Sequence, residues 1–165
     1  MKFLAPSVLL AAAGALPAGC APHATRPLSE REAGVVERMC LMIHRVAAES
    51  GSATVGEVAE ALDGARRAGD VLVYDDPPGP AGDDALTVRS RVYLRERLLR
   101  EEGRRFDEEF AYALRLFYHE GVHLTQSWCT LTFSPGRAEE EAKRETSVFG
   151  DYARLYRQRI YRDDR

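Results

Sequence analysis

The chain has 165 residues and contains little lysine, little cysteine and no excess of one charge. Lys2 and Lys143 are its only lysines, and the formal net charge is -3 at pH 7. Arginines are frequent between residues 89 and 105, but glutamates alternate with them. This alternation predicts a solvated surface of paired charges, not the basic stripe of a nucleic-acid-binding protein. We therefore expect no nucleic-acid partner.

The sequence also lacks an apolar run long enough to span a membrane. Its most apolar segment, residues 3–16, is broken by a proline, a serine and a glycine. A short apolar run with a weakly basic start and small residues after it is typical of a secretory signal peptide. We predict a signal peptide over residues 1–19, a tether over residues 20–28 and one domain over residues 29–165.

The small residues that end the signal peptide, Ala18-Gly19-Cys20, resemble the signal of a bacterial lipoprotein. That resemblance implies that Cys20 is acylated and becomes the first residue of the mature chain. Ala21 follows it, which in Gram-negative lipoproteins favours the outer membrane. The expectation is an exported cell-envelope lipoprotein, held at the outer membrane by its lipid and facing the periplasm. The alternative is a soluble periplasmic or secreted protein.

Cysteine is scarce, with three residues in the whole chain. If Cys20 carries lipid, Cys40 and Cys129 are left as an even pair in an oxidising compartment. A disulfide between them would close a long loop and stabilise the fold by about 4 kcal/mol. Two buried free thiols, packed as small apolar side chains, are the alternative. The sequence leaves both open.

Local signals mark two N-terminal helices. A Ser or Thr three residues before a Glu forms a capping box at Ser29 and again at Thr54. Apolar residues recur at helical spacing after each box. Gly51 and Gly69 predict where the two helices end.

The rest of the chain predicts a small sheet and two longer helices. Short apolar runs at residues 71–74 and 86–94 predict two strands. Asp107 is a candidate N-cap for a long helix, and Ser134 followed by proline predicts the start of a last helix that reaches about Tyr161. The expected fold is α+β: two N-terminal helices, a β-hairpin or small sheet, then two long helices.

The chemistry-bearing motif lies on the first of those long helices, at His119-Glu120-Gly121-Val122-His123. Histidines four residues apart lie on one face of a helix, so both imidazoles can bind one zinc ion. Glu120 is placed to take a proton from a water whose pKa zinc lowers to about 7. Gly121 costs up to about 1 kcal/mol in a helix, which predicts a close approach by a neighbour, such as a strand.

This motif resembles the active site of the zincin metallopeptidases. The resemblance implies zinc as cofactor, His119 and His123 as ligands, Glu120 as general base and a peptide or protein as substrate. Gln126 and Cys129 stand where the metzincin subclass has a glycine and a third histidine, so the glutamate-ligand subclass is the better match. Residues 91–95 resemble the edge strand that zincins place beside the substrate.

Three glutamates of the last helix are candidates for the third ligand. Helical phase puts Glu145 at the centre of the buried face and Glu141 beside it, while Glu139 points away. Residues 141–145 resemble the thermolysin pattern, which implies Glu141 as ligand and Glu145 as the acid that orients a zinc-bound histidine. A second register, Glu-x-x-Ala-Asp, would make Glu139 the ligand, with Lys143 where the acid belongs. We rank Glu141 first, then Glu145, then Glu139.

The sequence therefore predicts a minimal zincin that acts as a zinc-dependent hydrolase, most simply a peptidase. One alternative is a zinc-binding lipoprotein without catalytic activity, used as a structural or interaction module. The other is a metal-free helical lipoprotein in which the motif is a coincidence.

Overall fold

The structure is a computed structural model that describes residues 24–74, 84–100 and 108–160. The predicted signal peptide and the Cys20 lipidation site lie outside the described residues. The elements are β1 Thr25–Pro27, α1 Glu30–Ser50, α2 Ala53–Ala68, β2 Val71–Tyr74, β3 Ala85–Val88, β4 Arg91–Arg95, α3 Glu108–Thr125, α4 Trp128–Phe133, α5 Pro135–Leu155 and α6 Arg157–Ile160. The described part of the chain is thus α+β, as predicted. Among its helices, none is both long and apolar enough to cross a bilayer.

The N-terminus of α1 has the capping box that the sequence predicted. The Ser29 backbone N–H donates to a carboxylate oxygen of Glu32 at 2.8 Å, and the Glu32 N–H donates back to the Ser29 hydroxyl at 3.4 Å. Arg26 donates two further bonds to the same carboxylate, at 2.7 and 2.8 Å. Residues 25–27 were predicted as part of a tether, but they form β1 and pair with β2. The chain is therefore fastened to the domain from Thr25 onward.

The boundaries of α1 and α2 follow their glycines. Gly51 and Gly69 end the two helices with φ of 65° and 75°, a left-handed conformation that glycine adopts without steric cost. The N-cap of α2 is Ser52, whose hydroxyl accepts from the Val55 N–H at 3.3 Å. The predicted start at Thr54 is therefore wrong by two residues, because Ser52 supplies the capping hydroxyl.

The four strands form one mixed sheet in the order β1-β2-β4-β3. β2 and β4 are parallel, and the two outer pairs are antiparallel. The single strand predicted over residues 86–94 is a hairpin that turns at Arg89, which has a φ of 59°. β4 lies inside the sheet, so its predicted place at the edge is wrong. Among the described strands, β3 holds that outer position.

α3 occupies the centre of the domain and packs against α2, β3 and α5. Its predicted N-cap, Asp107, lies outside the described residues. The connection predicted after α3 contains the short helix α4, and α5 begins with Pro135 after Ser134, as predicted. The last helix ends at Leu155 instead of continuing to Tyr161, and α6 follows it. Fully buried side chains from several elements meet around α3: Val36, Ile43, Leu62, Val73, Phe117 and Phe149.

The structure does not pair the two cysteines of the described chain. Cys40 is buried in the core and Cys129 is exposed on α4, and both are free thiols. The disulfide alternative is therefore contradicted in the structure, because the two side chains lie in different environments. Burial raises the pKa of Cys40 to about 12, so this thiol behaves as a small apolar side chain.

Candidate metal centre

The two histidines of the motif lie one helical turn apart on α3, with their ring centroids 4.9 Å apart and their planes at 82°. Their Nε2 atoms face one carboxylate oxygen of α5. Glu139 Oε2 lies 3.5 Å from His119 Nε2 and 3.3 Å from His123 Nε2. One atom from each of these three residues thus forms a cluster in which all separations are within 4.8 Å. The structure brings together two nitrogens and one oxygen across the α3–α5 interface.

The glutamate in this cluster is Glu139, and the first-ranked choice of Glu141 is wrong for the geometry observed. The prediction assumed that the side chains at the centre of the buried face of α5 point toward the histidines, and they do not. Ala138 and Ala142 fill that centre, at 1% and 0% exposure, and bring the two helices close together. The histidines stand at the margin of the contact, where half-buried Glu139 reaches them.

Glu141 and Glu145 take other partners. Glu141 accepts a hydrogen bond from the Gln126 amide nitrogen at 3.3 Å. Glu145 pairs with its neighbour Arg144 at 3.1 Å, so its predicted role of orienting a histidine is wrong too. The acceptors of the hydrogen bonds from the two imidazoles are Thr146 and Gln126 instead.

The His119 ring is oriented by a hydroxyl of α5. Its Nδ1 lies 3.2 Å from the Thr146 hydroxyl, which itself donates to the Ala142 carbonyl at 2.7 Å. Because that hydroxyl has only one proton, it accepts from His119 Nδ1–H. The Nε2 atom then carries a lone pair, and this lone pair faces the cluster.

The His123 ring is oriented in the same sense by an amide. Its Nδ1 lies 2.8 Å from Gln126 Oε1. The amide nitrogen of Gln126 donates to the Ala138 carbonyl at 2.8 Å and to Glu141, so the oxygen is the atom that faces the ring. An amide oxygen can only accept, which places a proton on His123 Nδ1, so in the neutral ring Nε2 carries the lone pair.

With both rings in this neutral tautomer, three lone-pair-bearing atoms face one another. Protonation of His119 would relieve this, but burial and the neighbouring His123 lower its pKa below the ordinary value. Burial alone would raise the pKa of Glu139, yet a hydrogen bond from Lys143 and the nearby histidines lower it, so its carboxylate is ionised. Such a set of two imidazole nitrogens and a carboxylate oxygen can hold a divalent transition-metal cation, zinc among them.

Lys143 holds the other oxygen of the same carboxylate. Its ammonium group lies 3.1 Å from Glu139 Oε1, one helical turn further along α5. This residue stands where the second register of the zincin pattern has an acid. With Oε1 engaged by the lysine, Oε2 is the oxygen that remains for the histidines.

Glu120, the predicted general base, directly follows His119 on α3 and is buried. Only 5% of the residue is exposed, and its backbone carbonyl accepts from the Thr87 hydroxyl of β3 at 3.1 Å. That bond fixes the outer strand of the described sheet against the helix that carries the motif.

Gly121 is the point where α2 approaches α3 most closely. A Cβ atom there would lie 2.7 Å from side-chain carbons of both Leu62 and Val58, which are fully buried. The predicted close approach is confirmed, but the neighbour is a helix and not a strand. The residue between the two histidines is thus fixed by packing against α2.

Sequence reasoning missed the two residues that orient the histidines. Gln126 lies three residues after His123, at a helical spacing that could have drawn attention to it. Thr146 lies 27 residues from His119, and no local signal connects the two. The phenol of Tyr118 was also overlooked: its ring stacks on Phe149 at 4.0 Å, and its hydroxyl has no hydrogen-bond partner among the described residues.

Comparison with known proteins identifies no relative, since no protein-family model, curated protein or solved structure matches this chain.

Proposed function

We propose that the protein is a zinc-dependent hydrolase that cleaves peptide bonds, with His119, His123 and Glu139 as its zinc ligands. The observation that carries this proposal is the convergence of two imidazole nitrogens and a carboxylate oxygen, while the other polar atom of each side chain is held by Thr146, Gln126 or Lys143. A catalytic zinc site has three protein ligands and keeps a further position open. Bound zinc supplies a water of lowered pKa and polarises a carbonyl group.

Glu120 is the proton carrier in this proposal. It follows the first ligand directly, and its burial keeps bulk water away from the carboxylate. A carboxylate that directly follows a metal-binding histidine suits the task of taking a proton from the attacking water. The same carboxyl group then gives this proton to the leaving nitrogen of the substrate.

The position of β3 supports an extended peptide as substrate. It is the outermost of the described strands on its side of the sheet, and Thr87 ties it to the helix of the motif. A strand edge beside a catalytic helix offers backbone hydrogen bonds to a peptide in extended conformation. This geometry favours main-chain recognition over recognition of one particular side chain.

The second candidate is a zinc-binding protein that does not turn over. The 5% exposure of Glu120 favours it, because a general base must be reached by the water that it deprotonates. In that case the zinc would hold α3 and α5 together and serve a structural or interaction role.

Metal content and activity test these candidates in sequence. We expect about one zinc per purified chain by elemental analysis, and loss of that zinc in the H119A/H123A double variant. E140Q is the matched control, because Glu140 is an exposed glutamate next to Glu139 on the same helix. Stoichiometric zinc in the double variant would refute the site.

Activity is then measured with a mixed peptide library. Hydrolysis by the wild type, lost in E120Q at unchanged zinc content, would establish the peptidase. Equal zinc in both proteins and no hydrolysis by either would favour the non-catalytic candidate.

We also propose that the protein is exported and anchored by lipid on Cys20, on the basis of its N-terminal sequence alone. Mass spectrometry of the protein from membranes should give a mature N-terminus at an acylated Cys20. An N-terminus elsewhere would leave a soluble periplasmic or secreted protein.

A further inference from the structure

We propose that Gln126 is a positioning residue that couples the orientation of His123 to the placement of the helix that carries Glu139. The inference rests on the proposed metal site and adds to it how the site is assembled. It concerns a neutral side chain that touches neither a metal position nor a substrate.

Gln126 is held at the point where α3 ends. Its backbone N–H donates to the Val122 carbonyl at 3.2 Å, which continues the helical hydrogen bonding one residue past Thr125. Its side chain then crosses from α3 to the first turns of α5. The amide contacts His123 Nδ1 on α3, and on α5 it contacts the Ala138 carbonyl and Glu141 Oε2.

These contacts allow only one orientation of the amide. If the amide were rotated by 180°, its oxygen would face the Ala138 carbonyl and the Glu141 carboxylate. All three groups are acceptors, so no hydrogen bond would form among them. The rotated amide would also present an N–H group to His123 Nδ1 and move the ring proton to Nε2, where a metal would have to bind. The Ala138 carbonyl and Glu141 therefore determine the tautomer of His123 through Gln126.

The same side chain fixes the backbone next to Glu139. The Ala138 carbonyl belongs to the peptide unit that leads into Glu139, and its 2.8 Å bond to Gln126 ties that unit to the end of α3. The N-cap of α5, Ser134, makes no side-chain hydrogen bond of its own. The start of α5 thus lacks the usual local cap and is held from the neighbouring helix instead.

The variant Q126L tests the coupling, because leucine has a similar size and no hydrogen-bonding group. We expect zinc affinity about 10–100-fold weaker than in the wild type, the usual cost of losing a group that orients a metal ligand. Q158L is the matched control, since Gln158 is the other glutamine of the chain and is exposed on α6. Zinc affinity equal to that of the wild type in Q126L would overturn the proposal.

Nuclear magnetic resonance of the zinc-free protein separates positioning from general stability. Under conditions where the imidazole is neutral, nitrogen–proton correlation should show His123 with its proton on Nδ1 in the wild type and with increased Nε2–H tautomer in Q126L. The folded zinc-free wild type with the proton mainly on Nε2 would contradict the coupling. This measurement needs no metal, so it can fail or succeed independently of the proposed function.

A reciprocal exchange provides the rescue. The double variant Q126E/E141Q puts a carboxylate at position 126, which accepts from His123, and an amide at position 141, which donates to it. We expect more zinc affinity than in Q126E alone, where two carboxylates face each other, but less than in the wild type, because the Ala138 carbonyl has lost its donor. No recovery relative to Q126E would contradict the proposed chain of hydrogen bonds.

Discussion

At the scale of single residues, Lys143 sets the charge of the candidate centre. Its ammonium group pairs with Glu139 from the solvent side, while the two imidazoles approach from the protein side. Lys143 is exposed and Glu139 is half-buried, so water screens the pair and it contributes little to stability. Its effect is geometric, because it occupies one carboxylate oxygen and leaves the other for the cluster.

Replacing Glu139 and replacing Glu141 should have different effects on zinc affinity. E139Q removes the charged oxygen between the histidines, so we expect zinc affinity to fall by more than roughly 100-fold, beyond the range for groups that only orient a ligand. E141Q keeps an oxygen that can accept from Gln126, and we expect a loss of at most about tenfold. Calorimetric titration with zinc measures both, and a larger loss in E141Q would restore the thermolysin-like register.

Gly121 should tolerate no side chain. We expect G121A to lower the free energy of unfolding by about 1–3 kcal/mol, because the added methyl group overlaps Leu62 and Val58 in a packed core. G64A is the matched control, since Gly64 lies in α2 with no atom within 4 Å of its would-be Cβ. There alanine should stabilise the helix by up to about 1 kcal/mol. Chemical denaturation of both variants measures these changes. Equal changes in the free energy of unfolding would contradict the packing argument.

At the scale of elements, β1 and α1 are joined by one carboxylate. The hydrogen bond from Arg26 outweighs the effect of burial, and with the bonds from Ser29 it lowers the pKa of Glu32 from 4.5 to about 2. A lowered folded-state pKa means stability that is present above the unfolded pKa and lost as the pH falls through the folded one. We therefore expect the Glu32 contribution to disappear between about pH 4.5 and pH 2.

The variant E32Q measures that contribution. We expect a loss on the order of 1–2 kcal/mol at neutral pH, from the weakened capping box and the lost pair with Arg26. E30Q is the control, because Glu30 lies in the same first turn and is exposed. If E32Q and the wild type lose stability in parallel between pH 4.5 and pH 2, the assignment of the shift to this carboxylate is wrong.

Local signals predicted most of the helices, because capping residues and terminal glycines act within one or two turns of chain. Gly51, Gly69 and Pro135 mark boundaries that the structure confirms. The order of strands, the turn at Arg89 and the approach of Glu139 were beyond such signals. The strand order and the approach of Glu139 depend on contacts between segments distant in sequence. The turn at Arg89 is local, but the alternation of apolar residues continues through its two residues without a break.

At the scale of the whole molecule, a cation at this centre would join α3 to α5. Because α3 also contacts α2 and β3, the cation would brace the helix around which the core is built. Its binding energy would add to the stability of the fold, since the unfolded chain has no such site.

We expect added zinc to raise the free energy of unfolding by about 4 kcal/mol at a free concentration about 1,000 times Kd. Thermal unfolding with and without a chelator measures this directly. H119A/H123A should unfold at the same temperature in both conditions. A similar zinc-dependent shift in that variant would show that the metal binds elsewhere.

The groups that form and orient the cluster all lie between His119 and Thr146, a single uninterrupted segment of the chain. They can therefore be written as one linear signature, H-E-x2-H-x2-Q-x12-E-x3-K-x2-T, although the rest of the domain is needed to hold it. A chain that shares this signature would share the arrangement even where its overall sequence has diverged. Because every position in it corresponds to a described contact or to the proposed base, relatives could be recognised by the segment alone. In such chains, substitutions that occur together at the positions of Gln126 and Lys143 would indicate that both residues serve the same site.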